Sequence, residues 1–361
     1  MLKTTHSIYF KDSSNMEEIE SNTVNLIVTS PPYPMIEMWD EIFSSMNPLI
    51  GEALQKTDGR KAFELMNEEL NKIWKEVDRV LCDGGMACIN IGDATRKIGD
   101  SFQLFSNHSK IINFFESTGY HVLPMILWRK QSNKPNKFMG SGMLPPSAYV
   151  TLEHEYILIL RKGARREFKK DEKEIRRFSS YFWEERNQWF SDIWVDLKGS
   201  KQKLKNKELR NRSGAYPFEL AYRLINMYSI QEDVVLDPFL GTGTTSLAAV
   251  CTGRNSIGYE IDNNFSEFIG NRILDVKNTA NDLIKERIEN HNEFVKKREE
   301  KGEMKHKSCN YGFKVMTGQE VDISFPLIKS INQISENNYE VILDEDVPIV
   351  ENIKRGKITS Y

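Results

Sequence analysis

The chain has 361 residues, with 28% charged against 39% hydrophobic residues and a formal net charge of −3. That balance excludes wholesale disorder and leaves room for one large domain or two ordinary ones. It also excludes a uniform polycation, so any nucleic-acid contact must rest on a local basic patch.

Met1–Phe10 has no long apolar run, and no stretch of about 18 apolar residues occurs later, so neither a secretory leader nor a membrane span is expected, and a cytoplasmic protein is. Ser7–Phe10, Val24–Val28, Met86–Ile91, His121–Trp128, Tyr156–Leu160, Val234–Asp237 and Ser256–Ile261 read as strands. Several are nearly continuous apolar runs, as strands covered on both faces should be. Lys61–Leu81, Ser109–Ser117, Pro217–Tyr228 and Thr245–Cys251 read as helices between them. The alternation predicts an α/β domain with a mostly parallel sheet, whose ligands bind at the carboxyl ends of the strands. Lys277–Glu303 reads as a long, mostly solvated helix, and the tail beyond it has short β-like runs such as Tyr339–Leu343, with no function assigned. Cys82, Cys88, Cys251 and Cys309 are scattered without a C-x-x-C pair, so neither disulfides nor a metal site is expected.

Charge is uneven along the chain. Residues 128–212 carry a net +10, leaving −13 on the rest. Arg129, Lys130, Arg165, Arg166, Arg176, Arg177, Lys201, Lys203, Lys205 and Lys207 in this stretch are candidate contacts for the phosphates or bases of a nucleic acid. The same stretch holds Trp183, Trp189 and Trp194 with Phe178, Tyr181, Phe182 and Phe190, which form a satellite core or line a nucleic-acid cleft.

Two motifs follow strands. Thr29–Tyr33 reads T-S-P-P-Y. Its two prolines fix φ and remove two N–H donors, so the turn presents carbonyl oxygens with no local donor. Ser30 adds a hydroxyl and Tyr33 a planar face, a set suited to an amino group on a flat ring. Asp237–Thr245 reads D-P-F-L-G-T-G-T-T and precedes a helix. Gly241 and Gly243 allow close backbone approach, but no Gly-Lys-Ser/Thr follows and Ser246 stands where a third dinucleotide-loop glycine belongs. Glu260 follows Gly241 by 19 residues, the spacing of an acid that takes a ribose hydroxyl pair. The site therefore suits a nucleoside and lacks the usual equipment for a pyrophosphate.

On these residues the chain resembles the β-class amino-methyltransferases of DNA, in which S-P-P-Y precedes F-x-G-x-G, as at Ser30–Tyr33 and Phe239–Gly243. The resemblance covers residues 6–276. It implies a Rossmann-like methyltransferase fold with circularly permuted motif order and a mostly parallel seven-stranded sheet. It implies transfer of a methyl group from S-adenosyl-L-methionine to the N4 amine of a cytosine flipped from double-stranded DNA, in a restriction–modification system whose endonuclease shares the site. Adenine N6 is the alternative target. A non-catalytic DNA-binding module with a retained nucleoside pocket is the rival from another class.

The resemblance also assigns roles. Ser30, Pro31, Pro32 and Tyr33 form the catalytic loop, with the Ser30 hydroxyl and the Pro31 carbonyl accepting the two amine hydrogens. Asp237, Pro238, Phe239, Gly241, Gly243 and Thr244 form the loop against the cofactor's methionine part, and Glu260 takes its ribose. Asp12 takes its adenine amine, although Lys11 stands where the family usually has glycine. Tyr216, Pro217 and Phe218 open a helix that touches the methionine end. Asp93 either faces the site or is solvated. The expected division is 1–160 for the catalytic half, 161–212 for a basic target-recognition region aided by the loop 129–150, 213–276 for the cofactor half and 277–361 for an extension.

Overall fold

The apolar runs assemble into one mixed sheet. A computed structural model describes residues 2–130, 139–199 and 216–344. The strands of this sheet are β1 (Lys3–Tyr9), β2 (Val24–Thr29), β3 (Leu81–Ile91), β4 (Tyr120–Arg129), β5 (His154–Lys162), β6 (Ile193–Trp194), β7 (Val234–Asp237), β8 (Asn255–Tyr259), β9 (Leu327–Ser335) and β10 (Asn338–Asp344). They lie in the order β6-β4-β5-β3-β2-β7-β8-β1-β10-β9. The neighbours β3, β2, β7, β8 and β1 are mutually parallel. β5 runs antiparallel between β3 and β4, and β10 runs antiparallel on β1.

All the strands expected from sequence are present. The sheet nevertheless has ten strands among the described residues rather than seven. The additions are the two-residue β6 and the β9–β10 hairpin contributed by the tail. Tyr339, Val341 and Leu343 of β10 are buried in the main core, so this part of the tail completes the sheet.

The helices are α1 (Asp40–Met46), α2 (Pro48–Gln55), α3 (Gly59–Val80), α4 (Asn107–Ser117), α5 (Lys170–Phe178), α6 (Trp183–Trp189), α7 (Phe218–Tyr228), α8 (Thr244–Cys251), α9 (Ser266–Asp275) and α10 (Lys277–Glu299). Two cores sandwich the sheet. Leu26 and Val28 of β2 join Leu220 and Leu224 of α7 and Ala248 of α8 on one face. Val24 and Ile27 join Met66, Leu70, Ile73, Trp74 and Val77 of α3 on the other. The three-and-four spacing on α3 makes that apolar stripe, and the Asp58 carboxylate caps its start by accepting from the Lys61 N–H at 3.0 Å.

α10 buries a stripe through Ala280, Ile284, Ile288, His291 and Val295. Ile284 and Ile288 pack with Phe182, Val315, Ile323 and Phe325 in a third, smaller cluster. Trp189 and Trp194 join the main core, so the central aromatics are largely packing residues, while Trp183 remains exposed. Among the described residues no helix is long and apolar enough to cross a membrane.

Candidate functional site

Four parallel neighbours, β2, β7, β8 and β1, end on the same edge of the sheet. The chain leaves them at Ser30, Pro238, Glu260 and Lys11–Asp12, respectively. Strands lie about 4.8 Å apart, so these positions form a row about 14 Å long. A cavity of about 560 Å³ runs along the row, lined by Ser30–Tyr33, Pro238, Phe239, Gly241, Thr244, Glu260 and Asp12. Both motifs therefore face one another across a single space.

The Asp237 side chain joins the two corners. Its carboxylate accepts from the Thr29 hydroxyl at 2.6 Å, the Thr245 hydroxyl at 2.6 Å, the Phe239 N–H at 3.0 Å and the Tyr216 phenol at 3.2 Å. Burial pushes its pKa up, and these donors oppose that shift by favouring the ionised form. Asp237 thus fixes the end of β2 to the loop after β7.

The S-P-P-Y corner is braced from behind. The Tyr33 phenol donates to Glu155 Oε2 at 3.0 Å, and Ser30 Oγ lies 3.1 Å from the Tyr33 oxygen. Asn90 Nδ2 donates to Glu155 Oε2 at 2.7 Å and to the Tyr33 oxygen at 2.9 Å. Lys130 pairs with the same glutamate. Burial, and then the Glu155 charge, hold the Tyr33 pKa far above that of an ordinary phenol, so it stays protonated. A carboxylate only accepts, so the Tyr33 proton points at Glu155 and the Ser30 proton points at the Tyr33 oxygen. Ser30 Oγ also accepts from Asn90 Nδ2 at 3.5 Å, which leaves one of its lone pairs for a ligand. Gly92 permits this placement, because a Cβ there would come within 2.9 Å of the Tyr33 ring.

At the other end, Glu260 accepts from the Gly241 N–H at 2.7 Å and the Asp262 N–H at 2.9 Å. Burial raises its pKa to about 7 against these two hydrogen bonds. Gly243 sits at φ 80°, a left-handed conformation that favours glycine, and precedes the first turn of α8. Asp12 accepts from the Ser14 N–H and hydroxyl, both at 2.9 Å, which holds its loop in a tight turn at the cavity wall. The cavity carries Asp12, Glu155, Asp237, Glu260 and Asp262 against Lys11 and Lys130, and both lysines are paired with glutamates. Such a lining disfavours phosphates and suits a cationic ligand with hydroxyls. A nucleoside sulfonium such as S-adenosyl-L-methionine matches that donor set and volume.

Not every expected residue lies here. Tyr216 lines the cavity, whereas Pro217 caps α7 and Phe218 packs on Tyr222 with centroids 5.7 Å apart. Asp93 turns away to His108 at 2.8 Å. Lys130 reaches the cavity, and Arg129 lies beside it, exposed and paired with Glu153 at 3.1 Å. Arg165, Arg166, Arg176 and Arg177 do not line this cavity. The antiparallel β5 carries the chain from Glu155 to Arg161, about 20 Å toward the opposite edge, and these arginines follow it there. Arg166 instead ties Asp233 at 2.8 Å and Glu172 at 2.9 Å. Lys201, Lys203, Lys205 and Lys207 lie outside the described residues.

Asn90 and Glu155 are the functional candidates that motif reading missed. The one available signal was a polar residue at the end of an apolar strand run, Cys88-Ile89-Asn90 and Glu155-Tyr156-Ile157.

Residues 24–271 match the N6/N4 DNA methylase family. The type II methyltransferase M.MthZI of Methanothermobacter thermautotrophicus is 58% identical over 349 residues, covering 96% of this chain and 97% of that one. The type II methyltransferase M.MjaI of Methanocaldococcus jannaschii is 51% identical over 283 residues, covering 75% and 92%. A Thermus thermophilus protein, TTHA0409, described as a DNA modification methylase and solved with S-adenosyl-L-methionine, superposes with a TM-score of 0.57 at 28% identity, covering 74% of this chain and 93% of that one. With its two motifs facing one cavity and these relatives along most of its length, the chain belongs to the N6/N4 DNA methylase family.

Proposed function

We propose that this DNA methyltransferase acts on the N4 amine of a cytosine flipped out of duplex DNA, as the modification enzyme of a restriction–modification system. The observation that carries the reading is the single cavity shared by the Ser30–Tyr33 corner and the Gly241–Glu260 loop. The serine at the first position of the corner favours cytosine over adenine, by resemblance to the S-P-P-Y enzymes.

S-adenosyl-L-methionine supplies an electrophilic methyl group when bound. Glu260 accepts from the ribose hydroxyls, Asp12 from the adenine amine, and Phe239, Gly241 and Thr244 line the methionine end. The amine of cytosine is a poor nucleophile because its lone pair is delocalised into the ring. Ser30 Oγ and the Pro31 carbonyl accept its two hydrogens and draw the nitrogen toward a pyramidal geometry. Tyr33 offers its ring to the flipped base, offsetting part of an extrusion that costs a few kcal/mol; base–aromatic stacking contributes about 1–3 kcal/mol. Near-attack positioning of this kind can supply about 7–11 kcal/mol of a barrier. After transfer the nitrogen is cationic and loses a proton. Ser30 Oγ takes it and passes its own proton to the Tyr33 oxygen, whose proton moves to Glu155.

Duplex phosphates meet the mouth of the cavity through Arg129, Lys130 and the segment 139–150 that joins β4 to β5 on this edge. Met143, Leu144 and Val150 in that segment are exposed apolar side chains suited to filling the gap left by a flipped base. Transfer of a tritiated methyl group from S-adenosyl-L-methionine to duplex DNA tests the reading. Transfer by the wild-type chain, lost in Ser30→Ala, supports it. DNA binding without transfer leaves only a binding module.

A further inference from the structure

A second cavity, of about 820 Å³, opens on the opposite edge of the sheet. Asn25 at the start of β2 and Gly84 and Met86 in the first half of β3 form its floor. Arg161, Arg165, Lys173, Arg176 and Arg186 stand on its walls, and no ion pair with a described residue engages any of them. The two carboxylates that reach the cavity are engaged elsewhere. Asp233 is tied to Arg166 at 2.8 Å, and Glu320 accepts from the Trp183 N–H at 2.9 Å and the Thr317 hydroxyl at 2.7 Å.

Two further features make this more than a charged surface. The guanidinium groups of Arg176 and Arg166 lie 4.5 Å and 4.8 Å from the centre of the Phe168 ring, which orders them on the wall. Ser180 also lines this cavity, and its hydroxyl is buried without a hydrogen-bond partner among the described residues. Buried hydroxyls are ordinarily satisfied, and clustered cations without carboxylates repel one another. An anion with several acceptor oxygens answers both conditions.

We propose that this cavity is a second binding site, for a ligand carrying two or more clustered phosphate groups. Its volume is that of an ordinary small-molecule site. Planar guanidinium groups bind phosphate oxygens in pairs, and the Ser180 hydroxyl donates one more hydrogen bond. The phosphates come from a free nucleoside polyphosphate or from the backbone of a nucleic-acid strand. The cavity opens on the other side of the sheet from the Ser30–Tyr33 corner, so its ligand is not the target base. The proposal is independent of which base is methylated.

Titration calorimetry on the full chain at low salt tests it, with three probes: sodium tripolyphosphate, ATP and a short oligothymidylate. Saturable binding of at least one probe is expected, weakened at least about tenfold in the double variant Arg165→Glu, Arg176→Glu. Thermal melting shows whether that variant is folded. If it is not, Ser180→Ala and Arg165→Ala serve, each expected to weaken binding severalfold. Binding of tripolyphosphate and ATP names a free polyphosphate as the source. Binding of oligothymidylate alone, sensitive to the same variants, names a strand. No saturable binding of any probe, or equal affinity in wild type and folded variants, overturns the proposal.

Discussion

At the edge where β2, β7 and β8 end, Asp12, Glu155, Asp237 and Glu260 line the cavity, and the two lysines there are paired with glutamates. At the edge where the same strands begin, arginines line the cavity and the carboxylates are the engaged groups. The sheet thus separates two chemistries. The acidic, hydrogen-bonded edge suits a cationic methyl donor and a neutral base, and the basic edge suits phosphates. A positive stretch of sequence says that anions can be met, but the strand directions decide which edge meets them.

The comparison can be broken at four places, taken from the largest expected effect to the smallest. Tyr33→Ala removes the ring and the centre of the Ser30–Asn90–Glu155 network. It should lower kcat for methyl transfer by about a hundredfold or more, with S-adenosyl-L-methionine affinity in equilibrium dialysis kept within about twofold. An equal loss in both would mean that the corner is not separate from the nucleoside end. Glu155→Ala should cost about tenfold to a hundredfold in kcat with little change in KM, because it lets the Tyr33 phenol and the Ser30 proton reorient. Glu155→Gln, which can still accept from Tyr33, should recover part of the loss.

Glu260 gives a pH signature. Its carboxyl sits at about 7 in the free protein, and ribose hydroxyls bind the ionised form. Cofactor affinity should therefore fall about tenfold per pH unit below that value and level off above it. Glu260→Gln should flatten the profile and weaken binding at pH 8 by about tenfold. The same raised pKa acts with the opposite sign on folding. It favours the folded state fully below the ordinary value of 4.5, and that contribution is lost as pH rises through about 7. The smallest effect belongs to the basic edge. Arg166→Ala leaves Asp233 buried without its partner and should lower stability by about 1–2 kcal/mol, since the arginine itself is partly solvated. That change should show as a lower melting temperature and not in kcat.

Much of this was legible in the amino-acid order. Val24–Val28 and Val234–Asp237 are apolar runs because both faces of their strands are covered, and each motif is the turn that ends such a run. The spacing from Gly241 to Glu260 was legible because one helix and one strand separate them. The bracing was not. Asn90 and Glu155 come together through the antiparallel register in which Asn90 faces Ile157 and Ile91 faces Tyr156, a pairing that no local pattern encodes. The same strand reversal hid the place of Arg165, Arg166, Arg176 and Arg177, since a basic run carries no record of the edge to which an antiparallel strand delivers it. Tyr339–Leu343 was legible as a strand, but its partner β1 lies at the far end of the sequence.

Mass spectrometry of nucleosides from DNA methylated in vitro by the purified chain tests the central claim most directly. The account predicts N4-methylcytosine, absent when Tyr33→Ala replaces the wild type under conditions that keep S-adenosyl-L-methionine bound. N6-methyladenine as the product, or N4-methylcytosine at undiminished yield from the Tyr33→Ala chain, would contradict it.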